Sequence, residues 1–157
     1  MPDLQKLKGT WKYEDGEKFD DFLSELGISL PLRISARAVK PTIIITQEPN
    51  GKWVFKSEST FKTQAYEFEP NVEFTETRLD GEEVKSTIRF TDDGHWMHTS
   101  RDKKGKESTI ERYVDEKDQQ QVICSCGKVK STRWYKRACT GWFGASENYV
   151  IFDLFRH

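Results

Sequence analysis

The stretch Ser131-Thr132-Arg133-Trp134-Tyr135-Lys136-Arg137 reads as a β-strand that puts charge on both of its faces. Side chains alternate along a strand, so Thr132, Trp134 and Lys136 share one face, and Ser131, Arg133, Tyr135 and Arg137 share the other. The upstream stretch 108–114 poses the same problem. Ser108, Ile110, Arg112 and Val114 lie on one side, and Thr109, Glu111 and Tyr113 on the other, so Arg112 sits between two apolar neighbours. If these faces point inward, Arg112, Arg133 and Tyr135 are interior polar groups. A buried guanidinium keeps its proton, and stripping its water is costly unless an anion or several acceptors replace it. Three readings are open at this point: a site for a ligand carboxylate, an internal salt bridge, or simple exposure.

Working outward, most of the chain has the same strand-like texture. Val, Ile, Thr, Phe and Trp recur in short runs, separated by turn signals at Pro49-Asn50-Gly51, Pro70-Asn71, Asp80-Gly81, Asp92-Asp93-Gly94, Lys104-Gly105 and Gly127-Lys128. Such spacing points to an antiparallel meander, either sandwich or barrel. The exception is near the front. Lys18–Leu26 (KFDDFLSEL) places Phe19, Phe22, Leu23 and Leu26 at helical spacing, with acids on the opposite face and Gly27 as a stop. Leu30–Val39 (LPLRISARAV) predicts a second short helix, with Ser29 as N-cap, Pro31 in its first turn and Pro41 beyond its end. The expected order is one strand, two short helices, then about nine strands.

With 157 residues the chain has room for one domain of ordinary size. Charged residues make up 32%, but 25 basic and 26 acidic side chains nearly cancel, so there is no global pull towards nucleic acid or an anionic surface. Aromatics at 13% argue against disorder. No apolar run is long enough to span a bilayer, and Met1–Lys8 lacks an apolar signal core, so the expected location is the cytoplasm. The cysteines, Cys124, Cys126 and Cys139, are an odd, clustered set with no histidine beside them, which fits reduced thiols better than a disulfide framework or a zinc site.

Motifs of catalysis are missing: no G-x-S-x-G, no glycine-rich phosphate loop, no H-E-x-x-H. His95 and His98, three apart on a predicted strand, face opposite sides and cannot chelate one metal. The acids are scattered and no acid–base pair stands out, so neither an enzyme nor a metal or other cofactor is expected. Residues 139–157 (CTGWFGASENYVIFDLFRH) follow the charged strand end at Lys136-Arg137 and read as a separate C-terminal extension of unknown role, apolar enough to pack against something.

Several of these stretches together resemble the intracellular lipid-binding proteins, the family of fatty-acid-binding and cellular retinoid-binding proteins. Gly9-Thr10-Trp11-Lys12 resembles the family's first-strand signature, and Phe19-Asp20-Asp21-Phe22 the start of its first helix. Lys56–Lys62 (KSESTFK), Val84–Ile88 (VKSTI) and Ser131–Arg137 (STRWYKR) match further strand motifs in the same order. The likeness runs from about Leu4 to Ala138, so the barrel domain is expected over 1–138 and the extension over 139–157.

The resemblance implies an all-β fold: a ten-stranded antiparallel up-and-down barrel, clam-shaped, with a helix-turn-helix lid between the first and second strands and a water-filled cavity. It implies that Arg112, Arg133 and Tyr135 bind a ligand carboxylate. Phe19, Phe22, Leu23, Ala36, Phe61, Leu79 and Asp80 are implied at the cavity wall or its portal, although each apolar one could equally be ordinary core. The implied function is non-covalent carriage of a long-chain fatty acid by a monomer, with Arg33, Arg37 and Lys40 as a basic helix face for transient membrane contact. The helical segment lacks the small insertion typical of retinoic-acid binders, which leaves a retinoid carrier as the alternative ligand class. A closed-core protein-interaction module is the alternative of another kind.

Overall fold

The computed structural model describes residues 3–138; the extension 139–157, with Cys139, lies outside the described residues. A 3-10 turn over Leu4–Leu7 leads into β1 (Gly9–Glu17), then α1 (Phe19–Glu25) and α2 (Leu30–Arg37). Nine strands follow: β2 (Thr42–Gln47), β3 (Trp53–Glu58), β4 (Thr63–Phe68), β5 (Phe74–Thr77), β6 (Glu83–Phe90), β7 (Trp96–Arg101), β8 (Glu107–Val114), β9 (Gln119–Cys126) and β10 (Val129–Arg137). All pairings are between sequence neighbours and antiparallel, except that β1 pairs with both β2 and β10. That double pairing, with Trp11 opposite both Ile43 and Arg137, wraps the meander into an up-and-down barrel.

The ten-stranded sheet ends at β4 and β5, which are not hydrogen-bonded to each other as a ladder. Side chains span the gap. Gln64 Nε2 donates to the Thr77 carbonyl at 3.2 Å, and Phe74 packs on Tyr66 and Phe68 with ring centroids 5.1 and 6.0 Å apart.

Local chemistry sets the helix limits. Lys18 adopts a left-handed conformation (φ 60°), so strand turns to helix one residue later than the apolar spacing predicts. Asp20 and Asp21 sit in the first turn of α1, where carboxylates complement the helix dipole. Gly27, at φ 91°, turns the chain out of α1 as expected. Ser29 is at the N-cap of α2, but its hydroxyl makes no capping bond, and α2 stops at Arg37, two residues before the expected Val39. Arg33 also departs from expectation. Its guanidinium turns towards α1, donating to Asp20 Oδ1 at 3.2 Å and to the Ile28 carbonyl at 2.7 Å. It ties the two helices together, and the outward basic groups of this segment are Arg37 and Lys40.

One end of the barrel is solid. Trp96 lies in the middle of an aromatic cluster, 4.9 Å from Phe68, 5.7 Å from Phe90 and 6.0 Å from Trp53, centroid to centroid. Trp11 and Leu7 are fully buried, and the Trp11 indole N–H donates to the Leu7 carbonyl at 2.9 Å. The other end is roofed by the helices, α1 packing on β9, β10 and α2 through Phe22 and Leu23.

Candidate functional site

Between the aromatic base and the helical roof lies a cavity of about 460 Å³, within the range of roughly 300–1,000 Å³ usual for small-molecule sites. It exists because inward positions near the roof are small. Ser57 follows Phe55 and Trp53 up β3, and Ser100 follows His98 and Trp96 up β7. Arg112, Arg133 and Tyr135 all line this space, so the alternation on β8 and β10 points them inward. They are 6%, 9% and 3% exposed.

Among the described residues neither arginine forms an ion pair. Arg112 donates one bond, from a terminal nitrogen to Gln120 Oε1 at 3.0 Å, and its guanidinium carbon stands 4.6 Å from the centre of the Phe55 ring. Arg133 is held by rings: its guanidinium carbon is 4.6 Å from the centre of Tyr13 and 4.0 Å from that of Phe19. The Nε–H groups of both arginines, the Gln120 amide nitrogen and the Trp96 indole N–H are buried without an acceptor. Of these four, the two arginines line the cavity, and buried positive charge with an unmet N–H on each is suited to an anion. Burial pushes the Tyr135 hydroxyl above its ordinary pKa, against the opposing pull of Arg133 and Arg112, so Tyr135 also stands ready as a neutral donor.

Gly16 makes room for this arrangement. It pairs with Arg133 across β1 and β10, and a Cβ on Gly16 would come within 2.9 Å of Arg133 Cγ and 3.0 Å of the Thr132 carbonyl.

Comparisons with known proteins identify the family and its fold. Residues 8–138 match the family model described as lipocalin / cytosolic fatty-acid binding protein family. The chain belongs to this family. Human fatty acid-binding protein 9 is 39% identical over 136 residues, covering 85% of this chain and 98% of the relative. Among solved structures, fatty-acid-binding protein 1 of Echinococcus granulosus superposes with a TM-score of 0.81 at 33% identity, covering 86% of this chain and 99% of its own. A Schistosoma mansoni fatty acid binding protein in complex with arachidonic acid has a TM-score of 0.81 at 32% identity, covering 87% and 98%.

Of the other residues singled out from sequence, Phe19, Phe22, Leu23 and Ala36 face the cavity from the helices, and Phe61 and Leu79 line its rim. Asp80 stands in the turn beside Leu79 but off the cavity wall. Its carboxylate receives two bonds from Arg78, at 2.9 and 2.7 Å, and Arg78 is the member of the pair that lines the cavity. The hydrogen bond from Arg78 holds the Asp80 carboxyl below its usual pKa. Cys124 lines the cavity as a free thiol, raised in pKa by burial although Arg112 and Arg133 pull the other way; Cys126 is free and buried too.

Sequence reasoning passed over Gln120, Glu76 and Tyr66, and read His98 only as a strand residue unable to share a metal with His95. His98 Nε2 lies 2.6 Å from Glu76 Oε2 and both residues line the cavity, so the scattered acids do contain partners for histidine. His95 is not on a strand but just before β7, on the outer side, with Nδ1 2.6 Å from Glu111 Oε2 and its ring stacked on Tyr113. The signal that could have found the inner group is parity: Phe74, Glu76 and Arg78 alternate, as do Trp96, His98 and Ser100.

Proposed function

We propose that this protein is an intracellular, non-covalent carrier of a long-chain fatty acid, bound in the barrel cavity with its carboxylate on Arg112, Arg133 and Tyr135. The observation that carries this reading is a pair of buried guanidinium groups lining a cavity, without an ion-pair partner among the described residues and each with an unmet Nε–H. A carboxylate supplies the missing charge and acceptors through short, charge-assisted bonds. Gln120 accepts from Arg112 through Oε1 and fixes that guanidinium in place.

The acyl chain runs along the apolar side of the cavity, past Phe55, Ile43 and the roof residues Phe22 and Leu23. Removing about 14 methylenes from water at roughly 0.8 kcal/mol each gives an upper limit of about 11 kcal/mol. Loss of translational and rotational freedom takes back some 4 kcal/mol or more, leaving about 7 kcal/mol from the chain, a dissociation constant of about 10 micromolar. Charge-assisted bonds to the carboxylate, at about 1.5–3 kcal/mol each, carry this into the micromolar to nanomolar range. The chain therefore supplies most of the affinity, and the arginines choose the head group.

Arg133→Gln should weaken binding of a fatty acid by about ten- to a hundredfold, the worth of a charge-assisted hydrogen bond, and spare the matching fatty alcohol. Titration of both ligands into both proteins tests this, and equal losses for acid and alcohol would reduce Arg133 to a stability role. The carrier unit in this reading is 1–138, a monomer, with 139–157 as an appendage; ligand affinity and oligomeric state of a chain ending at Ala138 test that division. Exchange with a membrane surface would use the outer face of α2, where Leu30 and Ile34 are 53% and 51% exposed beside Arg37 and Lys40. Faster transfer to anionic than to zwitterionic vesicles, lost in Arg37→Glu, is the expected result.

A further inference from the structure

The cavity has a second polar group, centred on Glu76 and His98, that the carboxylate reading does not use. Glu76 on β5 receives His98 Nε2 on Oε2 at 2.6 Å and Gln64 Nε2 on Oε1 at 3.1 Å, and Ser86 hydrogen-bonds the same carboxylate. The Tyr66 hydroxyl stands 3.4 Å from His98 Nδ1, and the Ser86 and Ser100 hydroxyl oxygens are 2.8 Å apart. Glu76, His98, Tyr66, Gln64 and Ser100 all line the cavity.

Following the protons shows what this wall offers. The network assigns the His98 tautomer: Nε2–H donates to Glu76, so Nδ1 accepts from the Tyr66 hydroxyl. Gln64 Nε2 donates to Glu76 and to the Thr77 carbonyl at 3.2 Å, which uses both its hydrogens. The Ser86 and Ser100 hydroxyls share one bond at 2.8 Å, in which either can donate. The donors of His98, Gln64 and Tyr66 are spent internally. What these three residues and Glu76 leave facing the cavity is lone pairs, on the Glu76 carboxylate and on the Tyr66 oxygen. The ionised state of Glu76 agrees: burial disfavours its charge, but hydrogen bonds from His98 and Ser86 and the nearby Arg112 outweigh burial and lower its pKa. Burial and the Glu76 charge together hold the Tyr66 proton firmly in place.

The cavity therefore has two poles of opposite character, donors without acceptors around Arg112 and Arg133, and acceptors without donors around Glu76. In the register of β7 and β8, His98 lies opposite Ile110, two residues from Arg112, so both poles fall within the reach of one acyl chain. A plain alkyl chain crossing the Glu76 wall strips water from a charged acceptor and returns nothing. A hydroxyl on that chain replaces the lost bond. A carbonyl or ether oxygen, bringing only another acceptor, does not.

We infer that the cavity is built for a fatty acid that carries a hydroxyl group along its chain, the hydroxyl donating to Glu76 while the carboxylate occupies the arginines. This rests on the carrier reading and narrows its ligand class. The test is a titration of stearate, of hydroxystearates with the hydroxyl at successive carbons, and of the matching ketostearates. For one short range of positions the hydroxy acid should bind at least about tenfold tighter than stearate, the worth of a hydrogen bond to a charged group, and the keto acid should gain nothing. Glu76→Gln, its fold checked by near-ultraviolet circular dichroism, replaces one acceptor with an amide donor. It should abolish the hydroxyl gain and improve the keto acid relative to the wild type. If stearate binds and no hydroxystearate binds better, the inference falls and the carrier reading stands. If neither stearate nor any hydroxystearate binds, both fall. A hydroxyl gain that survives intact in Glu76→Gln also overturns it; should that variant not fold, the hydroxy and keto acids on the wild type decide.

Discussion

The two ends of the barrel are built from the same strands and do opposite things. At the base, the inward positions of β3, β6 and β7 carry Trp53, Phe90 and Trp96, whose ring centroids lie 5.2–6.0 Å apart, with Phe55 above them on the cavity wall. Two to four residues further along the same strands the inward positions carry Ser57, Ser86 and Ser100, and the interior opens. Backbone pairing continues without change from one end to the other. The hollow is thus a matter of side-chain volume at every second residue, and the solid end supplies the stability that lets the open end forgo packing.

The sharpest way to break that division is at the base. Trp96→Ala removes the ring that touches Trp53, Phe55, Phe68 and Phe90, and should cost about 3–5 kcal/mol. Urea unfolding measures it, and a loss under 1 kcal/mol would show that the base is not the stabilising half. The matching change at the open end is Ser57→Leu. It adds apolar volume where there is space, so stability should move by no more than about 1 kcal/mol in either direction. Affinity for the longest acyl chains should fall while shorter chains are retained, since the variant shortens the cavity beside Phe55. An unfolded Ser57→Leu protein would mean that the cavity is tighter than the side chains lining it suggest.

The same contrast explains how much was legible in the sequence. The run of strands, the helix pair and the shared face of Arg133 and Tyr135 follow from period-two alternation, turn residues and two helical stretches, all of them local signals; the barrel and the inward aim of Arg112 and Arg133 are implied only by the family resemblance. What escaped depends on contacts between strands. Glu76 and His98 are 22 residues apart and meet across β6, so neither looks paired in its own segment. Gln120 is fully buried, but it stands in a run of three glutamines, which hides the alternation that Val122, Cys124 and Cys126 continue. Arg33 reads as part of a basic helix face, because nothing local announces that Asp20 on the other helix takes it. Polar residues at inward parity are the recoverable signal; their partners are set by register.

The smallest expected effect lies at the acceptor pole and appears only in acid. Glu76 faces His98, Gln64 and Ser86, which hydrogen-bond it, with Tyr66 and Arg112 as the other titratable or charged groups nearby. Burial raises its pKa, the hydrogen bonds and positive charge lower it more, and the net position in the folded protein is below the ordinary value of 4.5. A carboxyl with a depressed folded pKa adds stability that is complete above its unfolded pKa and disappears as pH falls through the folded one. Glu76→Gln cannot titrate, so its stability should decline less steeply than that of the wild type below about pH 5. The decline will not vanish, because hydrogen bonds from arginine also depress Asp80 and Asp118. Urea midpoints of both proteins across the acid range provide the comparison. Parallel curves would mean that Glu76 is no better held in the folded barrel than in the unfolded chain, and the open end would then lack the fixed negative pole opposite its arginines.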